Sequence, residues 1–228
     1  MPGDLYDRQQ EIGLQIPNSI TVAGLGGIGS WVAILSAMSG VPNLYLFDND
    51  ILEEHNRNRL PFCQGSLNQP KVEVVRNYIL AIRPEAIVVA VPEKLEGILL
   101  QIQLSVSDII VDCTDSPRAQ FTIYNACKKQ GTRFIRAGYD GTHITVTSNV
   151  SGWIKTDIEE EDYTVRPSWV VPAVSVATLA VGKMMKYPNQ EISLDIADIG
   201  IPVLMKKKRL TANCTRGDPY HTRRRFGR

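Results

Sequence analysis

The stretch Gly24-Leu25-Gly26-Gly27-Ile28-Gly29 constrains this chain more than any other. It follows the apolar run Ser19–Ala23 and precedes a helical pattern from Ser30 to about Met38, so it joins a strand to a helix. Glycines at such a junction let the backbone turn sharply and approach a phosphate, which the helix N-terminus attracts with free N–H groups. Asp48 ends a second apolar run, Leu44–Phe47, and stands 19 residues after Gly29, the spacing at which an acid meets ribose hydroxyls. The loop and the acid together predict an α/β fold of Rossmann-like type, with a mainly parallel, doubly wound sheet and a nucleotide at the carboxyl ends of its strands.

The rest of the chain continues that pattern. A helix is expected over Lys71–Ile82, stopped before Pro84, then strands over Ala86–Val91 and Asp108–Asp112 and a helix over Arg118–Lys129. Phe134–Gly138 and His143–Val150 read as two further strands, and antiparallel strands are expected toward the C-terminal part. Ser151–Trp169 is polar and acidic, without a period, and reads as a long crossing loop; Trp153 and Trp169 bracket it, as apolar anchors first and as contacts for a partner otherwise. Pro172 opens an apolar helix to Met185, and Ile192–Ile199 and Val203–Leu204 close the list of strands. Residues 1–205 are therefore expected to form one domain, followed by a tail over 206–228.

Composition narrows the setting. A hydrophobic share of 43% against 21% charged residues excludes wholesale disorder. The net charge of +1 conceals an asymmetry: residues 201–228 hold nine basic residues and one acid, leaving 16 basic and 23 acidic in the first 200. Such a tail is either a solvated end or a grip for an acidic partner, RNA included. No apolar stretch is long enough for a membrane span, and the first residues lack the basic and apolar regions of a secretory signal. Cys63, Cys113, Cys127 and Cys214 stand singly, with no C-x-x-C pair, so neither zinc nor a disulfide framework is expected and a reducing cytoplasm fits.

Two nucleotides compete for the glycine loop. A dinucleotide such as NAD needs little beyond the loop and the acid, whereas a triphosphate also needs cations and a carboxylate for Mg²⁺. Arg57 and Arg59, beside the amide of Asn56, then Lys71, then Asp115 supply those charges after strand ends. His55 reads as an exposed loop residue and Cys113 as a packing residue.

Several of these segments together resemble the ThiF/MoeB family, which includes the adenylation domains of ubiquitin-activating enzymes and tRNA-modifying dehydratases. The likeness runs from about Leu5 to Lys186. It rests on Tyr6–Gln9 (YDRQ), GLGGIG, Phe47–Asp50 (FDND), Asn56–Arg59, Gln69–Lys71 and Asp112–Asp115 (DCTD). Leu60 stands where the family usually has glutamine, and Asn68 where it has glycine. The resemblance implies that ATP and Mg²⁺ are bound and that the C-terminal carboxylate of a small ubiquitin-like or sulfur-carrier protein of β-grasp type is adenylated. Gly24, Gly26, Gly27 and Gly29 would cradle phosphate and Asp48 would hold the ribose. Asn56 would orient the phosphate region, Arg59 and Lys71 would stabilise phosphates, and Asp115 would hold Mg²⁺. Arg8 would reach the partner's γ-phosphate in a homodimer. The crossing loop lacks the cysteine that thioester-forming relatives use, so the acyl group passes to another protein or to a hydroxyl such as Ser168. A ThiF-type tRNA-modifying dehydratase and an NAD-dependent oxidoreductase are the alternative readings.

Overall fold

The computed structural model describes residues 5–62, 64–151 and 168–198. Its compact unit, Met1–Ile196, contains a sheet with strand order β3-β2-β1-β4-β5-β6-β7. The strands are β1 (Ser19–Ala23), β2 (Asn43–Phe47), β3 (Ile87–Val91), β4 (Ile109–Asp112), β5 (Arg133–Asp140), β6 (His143–Thr147) and β7 (Ile192–Asp195). The first five pair in parallel, while β5–β6 and β6–β7 are antiparallel, as the fold expectation required. The helices are α1 (Asp7–Gln10), α2 (Gly27–Met38), α3 (Lys71–Ile82), α4 (Gly97–Val106), α5 (Pro117–Gln130) and α6 (Val170–Met185).

Two apolar cores flank the sheet. On one face α2, α3 and α6 close over Ile20, Val22, Leu44, Leu46 and Val111; on the other α4 and α5 close over Ala23, Phe47, Ile110 and Phe134. The strand order reverses direction between β1 and β4, so the connections leaving these two strands diverge to opposite faces and open a crevice at their carboxyl ends.

Several elements differ from the sequence reading. Helix α4 was not expected, because Ile98, Leu100, Ile102, Leu104 and Val106 alternate with the period of a strand. The structure buries Leu100, Gln103 and Leu104, a helical spacing, and leaves Ile98 at 72% exposure. Gln103 is tolerated inside because Thr21 Oγ1 donates to its Oε1 at 2.8 Å. Strand β6 ends at Thr147 rather than Val150, since Thr147 Oγ1 accepts the Asn149 N–H at 2.9 Å and turns the chain. Helix α6 begins at Val170, two residues before Pro172, which still falls within the first turn, where no N–H is needed. Strand β7 stops at Asp195. The expected strand at Val203–Leu204, the basic tail, Trp153 and most of the crossing loop lie outside the described residues, as do Cys63 and Cys214.

Candidate active site

The crevice is walled by the loops after β1 and β4. Cys113 N–H donates to Ala23 O at 2.8 Å, and a Cβ on Gly24 would meet the Cys113 carbonyl and the Thr114 nitrogen at 3.1 Å. Only a residue without a side chain lets the two loops meet there. Gly29 is under a harsher constraint, for a Cβ on it would lie 1.8 Å from the Gly24 carbonyl oxygen. Helix α2 starts within the glycine loop, at Gly27, so its unpaired N–H groups open directly into the crevice.

Asp48 follows β2 and is built into this loop. Its Oδ2 accepts the Leu25 N–H at 2.5 Å and its Oδ1 the Asp50 N–H at 2.8 Å. Burial raises its pKa above the ordinary carboxylate value, against the opposing pull of Lys71 and of those two N–H groups; Asp50 pushes it further up. A carboxylate has about four lone-pair positions, so this one keeps capacity for a sugar hydroxyl. Next to it in sequence, Asn49 lines an open groove of about 510 Å³ whose other wall is the segment from Pro92 to Glu96 and the start of α4.

Lys71 is the first residue of α3, 8% exposed, and its Nζ donates to Asp50 Oδ2 at 2.7 Å. The turn that presents it passes through Asn68, at φ 65°. Asparagine is among the few residues that visit the left-handed region at modest cost, so it can hold this turn without glycine. Leu60, the other departure from the motif, is 6% exposed in the core.

Asn56 is 3% exposed and faces its own backbone: Oδ1 accepts the Glu53 N–H at 3.0 Å and caps the short 3₁₀ turn Glu54–Asn58. It therefore shapes the turn that delivers Arg59. The Arg59 side chain lies across the glycine loop, where a Cβ on Gly27 would meet its Cδ at 2.9 Å, and Trp31 Nε1 donates to its carbonyl at 3.0 Å. Asp115 is exposed at the bend after β4, three residues beyond the Asp112 that anchors the same turn. Among the described residues no group of three or more His, Cys, Asp or Glu side chains is placed to hold a metal ion. A single carboxylate such as Asp115 is nevertheless a donor of the kind Mg²⁺ takes when substrate phosphates and water complete its shell.

Arg8 is not brought to this crevice. It is exposed on α1, and its neighbour Gln9 donates through Nε2 to Ser39 O at 2.9 Å, at the far end of α2. The 12 residues of α2 put about 18 Å between that end and the glycine loop. His55 is exposed and pairs with Glu53 at 3.0 Å. The Cys113 thiol is pushed far above its usual value by burial and by Asp112, which agrees with a packing role. Cys127, buried in α5, is raised to about 12, first by burial. Trp169 is 44% exposed at the N-cap of α6, so it is not an anchor inserted in the core.

Over residues 8–190 the sequence matches the ThiF family. The chain belongs to the ThiF family. It is 28% identical over 145 residues to the sulfur carrier protein ThiS adenylyltransferase of Escherichia coli, a match covering 62% of this chain and 57% of that one. It is 31% identical over 124 residues to the tRNA threonylcarbamoyladenosine dehydratase of Haemophilus influenzae, covering 54% and 48%. The chain thus spans about half the length of the curated relatives it matches. In fold it is similar to Escherichia coli MccB, solved with ATP, at a TM-score of 0.65 and 21% identity, covering 78% of this chain and 60% of that one.

One residue of this ThiF chain that the motifs did not single out is Arg136, 8% exposed on β5. Its Nη1 donates to Asp112 O at 3.2 Å and lies 3.5 Å from Asp112 Oδ2. Asp112 is fully buried and its Oδ1 accepts both the N–H of Thr114 at 3.0 Å and its hydroxyl at 2.7 Å. Burial raises the Asp112 pKa, while Arg136 and Thr114 oppose that rise. The pair fixes the turn leading to Asp115. The signal was present in the sequence: an arginine inside the apolar strand FIRAG is buried only with a partner.

Proposed function

We propose that this chain is an ATP-dependent adenylyltransferase that activates the C-terminal carboxylate of a small ubiquitin-like or sulfur-carrier protein. The observation that supports the reading most is that, in a ThiF-family fold, Asp48 is bonded into the glycine loop and the Arg59 stem lies across it, with Lys71 paired to the neighbouring Asp50 and Asp115 on the loop after β4. An NAD site has no use for Arg59 over the glycine loop and Lys71 beside it, whereas a triphosphate needs both.

In this reading the base lies in the groove beside Asn49, the ribose meets Asp48, and the phosphates follow the α2 N-terminus toward Arg59 and Lys71. Lys71 exchanges Asp50 for phosphate oxygen. Asp115 would be the protein's ligand to Mg²⁺, which would supply charge neutralisation on the phosphates. The carrier's carboxylate oxygen attacks the α-phosphorus, the bond to the β-phosphate oxygen breaks, and acyl-adenylate and pyrophosphate result. No proton transfer is required, so positioning and charge compensation account for the chemistry. Arg8, out of reach of its own crevice, serves the second subunit of a homodimer, and the basic tail offers an acidic partner or RNA a second contact.

The test is ATP–pyrophosphate exchange in the presence of small proteins with a free C-terminal Gly-Gly. Exchange in the wild type that disappears in Asp115→Ala, with an unchanged melting temperature, is the expected result. Undiminished exchange in Asp115→Ala removes that residue from the site, and hydride exchange with a nicotinamide cofactor would replace the reading altogether. Activation of a tRNA base is the second reading, favoured by the 31% identity to the dehydratase; exchange dependent on tRNA rather than on a carrier would establish it.

A further inference from the structure

Asn58 ends the 3₁₀ turn that delivers Arg59, and its amide bonds in two directions. Its Oδ1 accepts Arg59 Nη1 at 2.8 Å, and its Nδ2 donates to Ser168 O at 2.9 Å. The amide's orientation follows from its neighbours: turned over, an NH₂ would face a guanidinium and an oxygen would face a carbonyl. Ser168 precedes the N-cap of α6, and its hydroxyl bonds the hydroxyl of Tyr139 on β5. A continuous series of hydrogen bonds thus runs from Tyr139 through Ser168 and Asn58 to Arg59.

The consequence for Arg59 is geometric. Its Nη1 carries two hydrogens, and both are taken, by Asn58 Oδ1 and by His55 O at 3.0 Å. Among the described residues nothing else takes the donors on Nε and Nη2, which are left for an anion. Its stem rests on the surface that Gly27 leaves bare, and Ala173 of α6 approaches the same spot, with its Cβ 3.3 Å from where a Gly27 Cβ would be. The Arg59 stem and Ala173 of α6 thus crowd the same spot on the loop. An arginine of intermediate exposure would otherwise have many rotamers, and holding one of them lowers the cost of ordering it on a ligand.

We propose that Asn58 is a positioning residue for nucleotide binding: it holds the Arg59 side chain across the glycine loop by tying its guanidinium to the chain that enters α6, so that affinity for a triphosphate depends on how that chain is held. The inference rests on the nucleotide reading given above. It assigns Asn58 no contact with the reacting atoms.

The test is a double-mutant cycle read by titration calorimetry on the full chain, using the magnesium complex of α,β-methylene ATP and, separately, AMP. Asn58→Ala is expected to weaken the triphosphate analogue about tenfold while leaving AMP unchanged, since only the distal phosphates meet Arg59. In an Arg59→Ala background the same change is expected to cost nothing further. Its melting temperature should match the wild type, because Asn58 is exposed. Hydrogen exchange over residues 169–176 gives an independent reading: the analogue should slow it in the wild type and not in Asn58→Ala. Equal loss for AMP, additive losses in the cycle, or unchanged affinity for the analogue each overturn the proposal. A wild-type chain that binds neither ligand overturns the nucleotide reading and this proposal together; normal wild-type binding with an unaffected Asn58→Ala overturns this proposal alone.

Discussion

Alanine at Gly29 and at Gly27 should fail in different ways, although the two sites are one helical turn apart at most. At Gly29 the added Cβ would stand 1.8 Å from the Gly24 carbonyl oxygen, and carbon–oxygen contacts settle at about 3.3 Å, so the backbones must part by roughly 1.5 Å. Neither side can give cheaply. Gly24 is held by its N–H bond to Phe47 O at 2.8 Å, and α2 is packed against the core through Val32, Ala33, Ile34 and Ala37. The shift breaks the Ser30 N–H bond to Gly26 O, at 3.2 Å, and the Ser30 Oγ bond to Leu25 O, at 2.8 Å. At about 1 kcal/mol for each bond and a further 1–3 for the strained core, Gly29→Ala should cost about 3–5 kcal/mol. For a unit of this size that lowers the melting temperature by about 10 °C. At Gly27 the obstacles are side-chain atoms, Arg59 Cδ at 2.9 Å and Ala173 Cβ at 3.3 Å. Arg59 can swing aside, so Gly27→Ala should melt within about 2 °C of the wild type while losing triphosphate affinity. Differential scanning calorimetry on both variants decides it. A Gly29→Ala protein that melts with the wild type, or a Gly27→Ala protein less stable than it, would refute the geometry.

Other substitutions test other parts. Asn68→Gly should be nearly neutral, whereas Asn68→Ala should cost about 1 kcal/mol, seen in denaturant midpoints, because only the first tolerates φ 65°. Glu191 is drawn up by burial but held below its ordinary pKa on balance by Thr147, Lys183 and the Ser148 N–H, so its contribution is present above the unfolded value and lost as the pH falls through the folded one. The melting temperatures of Glu191→Gln and wild type should therefore differ at pH 7 and converge as the pH falls below the ordinary glutamate range. Arg8→Ala and Asp115→Ala should each be inactive alone; after subunit exchange a 1:1 mixture should regain about one quarter of the sites in pyrophosphate exchange. A mixture as inactive as its parents would place Arg8 outside the partner's site.

The parts of the fold that were legible in the sequence are those where a single physical demand acts. The glycine loop had to join a strand to a helix, and Asp48 had to follow the next strand, since both positions are fixed by backbone sterics and chain length. Helix α4 was illegible because its apolar residues exceed what the core can cover, and their alternation imitates a strand until the burial of Leu100, Gln103 and Leu104 is seen. Within the site the individual charges could be named, but not their partners. That Lys71 is held by Asp50, that Asn56 caps a turn, and that Arg136 compensates Asp112 are facts about residues far apart in sequence or facing their own backbone, and no spacing encodes them.

The position of α1 carries a kinetic consequence. If Arg8 works only for another chain, a solitary subunit holds the nucleotide but lacks a group that the reaction needs. Turnover per chain then ceases to be a constant of the protein and becomes a function of its concentration. It would fall on dilution below the dissociation constant of the pair and recover when inactive Asp115→Ala chains, added in excess, donate their own arginines. A cell could thus set the output of such an enzyme by its abundance alone, with a response steeper than proportional.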